Sequence, residues 1–218
     1  MVNVAVVGCG YWGKNLVRNF SELNALHTLY DVDEKKVQEL KGYYPQVKLS
    51  HSLSEIFGDP SIDGVIVATP AESHYRMVKE ALQAGKDVFV EKPLALKVRE
   101  GRELVALAKE KDRILMVGHL LEYHPGIIKL KQIVSNGDLG KINYIHSTRL
   151  NLGKFRTEEN ILWSFAPHDI SVILLLLGEM PSEVSDHGGS YLNRGIADVT
   201  MTTMDFPSGV KSDIFVSW

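Results

Sequence analysis

A valine-rich run, Val2 to Val7, breaks at Gly8-Cys9-Gly10-Tyr11-Trp12-Gly13 and passes at once into KNLVRNFSEL, which has helical spacing. A tight glycine turn between a buried strand and a helix restricts the chain to a few architectures. The segments that follow repeat the alternation. LHTLYDV reads as a strand, and DEKKVQELKGYY as a helix with Asp33 as its N-cap. QVKLS is a short strand, SLSEIF a short helix opened by Ser52, and GVIVAT a continuous apolar strand of the kind that parallel sheets bury on both faces. HYRMVKEALQAG is a helix ending at Gly85, DVFV a strand, VREGRELVALAKEKD a helix and ILMVG a strand. Strands separated by helices predict an α/β fold with a doubly wound parallel sheet.

In that context each glycine has a task. Gly8 permits the turn, Gly10 lets a pyrophosphate approach the backbone, and Gly13 lets the helix pack close to the strand with its N-terminus toward the phosphates. Asp31 lies 21 residues beyond Gly10, the spacing expected of a carboxylate that hydrogen-bonds the adenosine ribose. A carboxylate repels a 2′-phosphate, so NAD is expected and NADP is disfavoured. Lys35 and Lys36 follow closely and soften that preference.

After His119 the alternation stops, which puts a domain boundary near residue 120. Residues 1–120, with the glycine loop, are expected to bind NAD, and 121–218 to form a second domain. YHPGIIKLKQIVSNGDLGK reads as one amphipathic helix closed at Asn136-Gly137, and KINYIHSTRLNL as a long strand. A buried helix is expected from about His168 to Leu177. Three strand-like runs follow, EVSDHGGSYL, DVTMTTMDF and GVKSDIFVSW, the last two joined by the Pro207-Ser208-Gly209 turn. Together they predict an α+β domain with an open, mainly antiparallel sheet. Its last apolar strand stops at Trp218, and a terminal strand of that kind is expected to leave an unpaired edge.

Composition excludes several classes. The formal charge of −3, with Lys and Arg spread along the chain, argues against nucleic acid. The longest apolar run, ISVILLLLG, is far short of the roughly 20 residues that span a bilayer, so no membrane partner is expected. One cysteine, Cys9, makes no intramolecular disulfide and fits a reducing cytoplasm. The eight histidines show no paired ligand spacing, so no metal is expected.

DVFVEKPLAL sets Lys92 at a strand end downstream of the glycine loop. Oxidising a secondary alcohol removes a hydroxyl proton as hydride leaves, which calls for a base and a cation. A lysine, charged below about pH 10, steadies a developing alkoxide, and a histidine with an ordinary value of about 6.5 suits general base work. His119 and Tyr123 follow the last parallel strand, where doubly wound folds place ligands.

GCGYWG, the strand-end Ala68-Thr69-Pro70 with His74 after it, AGKDVFVEKPLAL and a later APHDIS together resemble the glucose-fructose oxidoreductase / inositol dehydrogenase (Gfo/Idh/MocA) family. GYWGKN with LWSFAPHDIS is most similar to the branch that oxidises nucleotide-linked sugars, such as the UDP-N-acetylglucosamine 3-dehydrogenases. The resemblance implies catalytic roles for Lys92 and His168. It implies a cofactor site built from Gly8, Gly10, Tyr11, Trp12, Gly13, Asp31, Thr69, Pro70, His74 and Glu91, and substrate contact for His119, Tyr123 and Trp163. It further implies oxidation of a secondary hydroxyl, at C3, of a sugar or nucleotide-sugar, and assembly as a homodimer or homotetramer. The family's aspartate four residues before the histidine is Ser164 here, and family members run about a hundred residues further. A catalytically impaired NAD-binding or regulatory protein is therefore the alternative expectation.

Overall fold

Segments that can expose neither face become the middle of a parallel sheet. In the computed structural model, which describes residues 2–152, 155 and 159–218, every residue of β1 (Val4–Val7) and β4 (Gly64–Val67) is buried. Around them lie α1 (Gly13–Glu22), β2 (Leu26–Tyr30), α2 (Glu34–Tyr43), β3 (Lys48–Leu49) and α3 (Leu53–Gly58). The unit is completed by α4 (Ala71–Gln83), β5 (Asp87–Val90), α5 (Val98–Glu110) and β6 (Leu115–Val117). The strand order is β3-β2-β1-β4-β5-β6, all parallel. Alternate side chains serve the two faces. Val6 and Ile66 pack with Val17, Leu29, Val37 and Leu40 on one side. Val7 and Val67 pack with Ile56, Leu82 and Leu104 on the other. The chain reverses its winding between β1 and β4, and the crevice that opens beyond their carboxyl ends is where doubly wound sheets take ligands.

Local signals explain several element ends. The side chains of Asp33 and Ser52 accept hydrogen bonds from the Lys35 and Glu55 amides, capping α2 and α3. Gly85 follows α4 with φ of 74°. α4 itself begins at Ala71, one turn earlier than its helical periodicity indicates, because Pro70 is accommodated as its N-cap.

The chain divides into two compact units, Met1–Gly118 and His119–Trp218. The second unit holds a 3-10 turn (Leu120–Tyr123), α6 (Pro125–Ser135), β7 (Tyr144–Leu150), α7 (Ile161–Leu177), β8 (Glu183–Gly189), β9 (Val199–Asp205) and β10 (Lys211–Ser217). Its sheet has the order β7-β10-β9-β8. Met204, Ile214 and Val216 from one face pack against Ile161, Ala166 and Ile173 of α7. On the opposite face Tyr144, Met201 and His187 are exposed.

Two expectations are corrected here. β10 is not an edge: it pairs with β7 in parallel and with β9 antiparallel, so both of its ladders are filled and the sheet is mixed. Turn-linked strands predict neighbours, and the parallel insertion beside β7 is a non-local choice that buries Ile214 and Val216 completely. Second, α7 starts at Ile161 rather than near His168, capped by the Asn160 side chain and running through Pro167. Among the described residues, no helix is long and apolar enough to cross a membrane.

Candidate functional site

The glycine loop closes because two of its residues have no side chain. Gly8 has φ of 96°, and a Cβ there would lie 2.6 Å from the Ala68 carbonyl oxygen on the neighbouring strand end. A Cβ on Gly13 would lie 1.9 Å from the Gly8 carbonyl oxygen. Gly10 differs, since a Cβ there would meet no protein atom within 4 Å. Its backbone therefore borders open space, which a ligand's phosphates could approach.

That space is a groove of about 610 Å³ lined by Cys9, Gly10, Tyr11, Lys14, Asn15, Lys36 and Glu39. Tyr11 is almost fully exposed beside it. Lys14 in the first turn of α1 reaches Glu39 on α2 at 3.2 Å. At the end of β2, Asp31 is nearly buried: its Oδ2 accepts the Cys9 amide at 2.7 Å and its Oδ1 the Asp33 amide at 2.8 Å. A carboxylate offers about four acceptor sites, so bonds to ribose hydroxyls remain possible. Burial, reinforced by the Asp31 charge, pushes the Cys9 thiol up to about 12, which leaves it a packing group rather than a nucleophile. Glycine loop, helix N-terminus, open backbone at Gly10 and fixed carboxylate fit a dinucleotide such as NAD.

On the same carboxyl edge of the sheet, β5 delivers Glu91 and Lys92 into a turn whose Lys92-Pro93 bond is cis. A buried histidine anchors this turn. His74, with no solvent exposure, places Nδ1 2.7 Å from the Pro93 carbonyl oxygen and Nε2 2.9 Å from that of Thr69. It thereby ties the loop after β4 to the lysine turn. Thr69 Oγ1 meets Ser73 Oγ at 2.6 Å, and Pro70 is exposed as the α4 cap. Glu91 lies beside Lys92, and the Trp12 side chain of the glycine loop acts on its carboxyl. Gly118 beyond β6 leaves room for it, since a Cβ there would lie 3.0 Å from Glu91 Oε1.

Burial raises the Glu91 carboxyl above its ordinary value, opposed by the Trp12 side chain, the Lys92 amide and the Lys92 charge. The acid form is thus favoured on folding. Its contribution to stability is fully present below the unfolded value of 4.5 and is lost as pH rises through the higher folded value. Glu91→Gln keeps the side chain's shape and cannot ionise. Thermal midpoints of the two proteins are expected to coincide in acid and to separate toward neutral pH, with the variant the more stable. A constant difference across that range would refute the burial argument.

In the second unit, His168 and Trp163 are half-buried on α7, and Ser164 is buried one turn before His168. Asp169, next to the histidine, points away into the unit: its carboxylate accepts from Arg149 Nε at 2.7 Å, Arg149 Nη2 at 3.1 Å and Ser147 Oγ at 2.7 Å. This clamp pins α7 to β7. His119 is half-buried at the start of the 3-10 turn, and Tyr123 at its end is exposed. Within the first unit the structure gathers Gly8, Gly10, Tyr11, Trp12, Gly13 and Asp31 at one loop, and Thr69, His74, Glu91 and Lys92 at the adjoining strand ends. Sequence reading missed Gly118, Arg149 and the Lys14–Glu39 pair. A cation in the first turn after a glycine loop was the available signal for Lys14. Among the described residues, no group of three or more His, Cys, Asp or Glu side chains could hold a metal.

Residues 2–119 match the family model described as "Oxidoreductase family, NAD-binding Rossmann fold". Residues 127–218 match the "GFO/IDH/MocA C-terminal domain". The chain belongs to the Gfo/Idh/MocA oxidoreductase family. Among its relatives, the 2,7-anhydro-N-acetylneuraminate hydratase of Escherichia coli K12 is 30% identical over 96% of this chain and 60% of its own length. The scyllo-inositol 2-dehydrogenase (NAD(+)) of Bacillus subtilis 168 is 29% identical over 99% of this chain and 67% of its own. The crystal structure of a probable dehydrogenase from Thermotoga maritima superposes with a TM-score of 0.91 at 26% identity, covering 99% of this chain and 68% of that one. The chain spans 55 to 60% of the length of several curated relatives that it matches.

Proposed function

We propose that the protein is an NAD-dependent dehydrogenase that oxidises a secondary hydroxyl, at C3, of a sugar or nucleotide-sugar. The observation that carries this reading is the Lys92 turn, anchored by His74 to the loop after β4. A lysine is thereby fixed on the edge of the sheet where the nucleotide groove opens. NAD, held by the loop and by Asp31, supplies the acceptor for the hydride. Lys92 orients the substrate hydroxyl and stabilises charge on its oxygen as the C–H bond breaks. His168 takes the hydroxyl proton. Ser164 stands where the family resemblance expects an aspartate, so the histidine works without that carboxylate. His119, Tyr123 and Trp163 are the proposed substrate contacts. The second unit is the proposed substrate and oligomerisation domain, and the protein is proposed to work in the cytoplasm as a homodimer or homotetramer.

The scyllo-inositol dehydrogenase relative supports a polyol or sugar substrate and NAD as cofactor. The hydratase relative supports a second reading, a reaction on an anhydro sugar acid without net formation of reduced cofactor. To separate them, the purified protein is incubated with NAD⁺ and panels of inositols, UDP-sugars and anhydro sugar acids. Absorbance of NADH is followed and products are resolved by chromatography. Growth of NADH with an inositol or UDP-sugar supports the dehydrogenase. Product from an anhydro sugar acid at constant absorbance supports the second reading. NAD⁺ binding without turnover of any substrate would overturn both and favour a binding or regulatory protein.

A further inference from the structure

Asp31 is only half of the charge pattern that meets the adenosine ribose. Its carboxylate cannot swing aside, because the Cys9 and Asp33 amides each hold one of its oxygens and its side chain is only 8% exposed. A carboxylate fixed in this way would by itself exclude a 2′-phosphate. The Lys36 ammonium, however, lies 3.9 Å from Asp31 Oδ1 and 3.5 Å from Asp33 Oδ2, and the same residue lines the groove. Those separations exceed the roughly 2.7–2.9 Å of a charge-assisted hydrogen bond, so the ammonium is held between two anions while its N–H donors stay available. Lys14, the other cation of the groove, is engaged by Glu39. Of the two lysines that follow Asp33, only Lys36 forms ion pairs with Asp31 and Asp33 among the described residues.

We infer that Lys36 is the residue that sets nucleotide choice, and that it makes the site accept NADP as well as NAD. Any group received by Asp31 Oδ1 comes within reach of the Lys36 ammonium. A ribose hydroxyl uses the carboxylate, whereas a 2′-phosphate uses the ammonium, which also screens it from Asp31. The inference rests on the dinucleotide reading of the groove and concerns binding alone.

Its test needs no substrate. Dissociation constants of NAD⁺ and NADP⁺ are measured by calorimetry for the wild-type protein, for Lys36→Gln and for Lys35→Gln as the neighbouring-charge control. Circular dichroism verifies that all three are folded. The wild-type ratio of NADP⁺ to NAD⁺ dissociation constants is expected at about 30 or below, rising at least about tenfold in Lys36→Gln but not in Lys35→Gln. The wild-type NADP⁺ affinity should also fall more steeply with salt than that of NAD⁺. A wild-type ratio above about a thousand, or a ratio that Lys36→Gln leaves unchanged, would overturn the role of Lys36 while leaving the NAD site intact. Failure of both nucleotides to bind a folded protein would instead overturn the dinucleotide reading itself, and the inference with it.

Discussion

Replacing Lys92 by methionine is expected to lower turnover by about a thousandfold while NAD⁺ affinity changes little. Methionine nearly matches the lysine stem in length and keeps the turn's bulk, and the His74–Pro93 anchor does not use the Lys92 side chain. What disappears is the cation beside the developing alkoxide. The proper readout is kcat with saturating cofactor, together with the NAD⁺ dissociation constant measured separately. Full turnover in the variant would remove Lys92 from the chemistry and leave His168 without its proposed partner. Loss of NAD⁺ binding in parallel with turnover would show that the lysine organises the nucleotide site instead.

The second large effect concerns Gly13. A methyl group there would lie 1.9 Å from the Gly8 carbonyl oxygen and 2.9 Å from its carbon, both backbone atoms rather than the end of a flexible side chain. Gly13→Ala must push α1 off β1 or open the turn. It is expected to destabilise the fold by about 3 kcal/mol or more, lowering the thermal midpoint by roughly 6–12 °C, and to abolish nucleotide binding. Gly10→Ala makes the informative contrast, because its methyl would meet no protein atom within 4 Å. That variant should melt near the wild type yet bind NAD⁺ weakly, since the added carbon occupies the approach to the backbone. Equal melting of the two variants would contradict the packing account; undiminished NAD⁺ binding by Gly10→Ala would contradict the placement of the pyrophosphate.

The nucleotide half of the site is legible in the sequence because short-range rules govern it. Gly8, Gly13 and Asp31 occur at spacings set by one strand, one turn and one helix, and the caps at Asp33 and Ser52 are contacts within a few residues. What escaped sequence reading is non-local or disguised. Pro167 cannot donate to the Trp163 carbonyl and biases its predecessor toward extended backbone, so periodicity restarts after it. The helix nonetheless runs through it from the Asn160 cap. Asp169 sits on a helix of weak amphipathic contrast, and nothing nearby in sequence announces that Arg149 and Ser147, 20 and 22 residues earlier, will receive it. Lys36 reads as one of two surface lysines until the fold brings its ammonium near Asp31.

The place of β10 bears on how the second unit acquires its structure. β7 is made early in that unit, but its parallel partner arrives 67 residues later, as the His146–Asp213 pair across the ladder records. Among the described residues β7 pairs only with β10, and until that strand is available the β8–β9 hairpin can form only by itself. Closure of that long loop must precede any gain from the pairing, which is the signature of slow, topology-limited folding. The strand then works as a keystone: an interruption anywhere in Lys211–Ser217 releases two ladders at once, on both sides of the break.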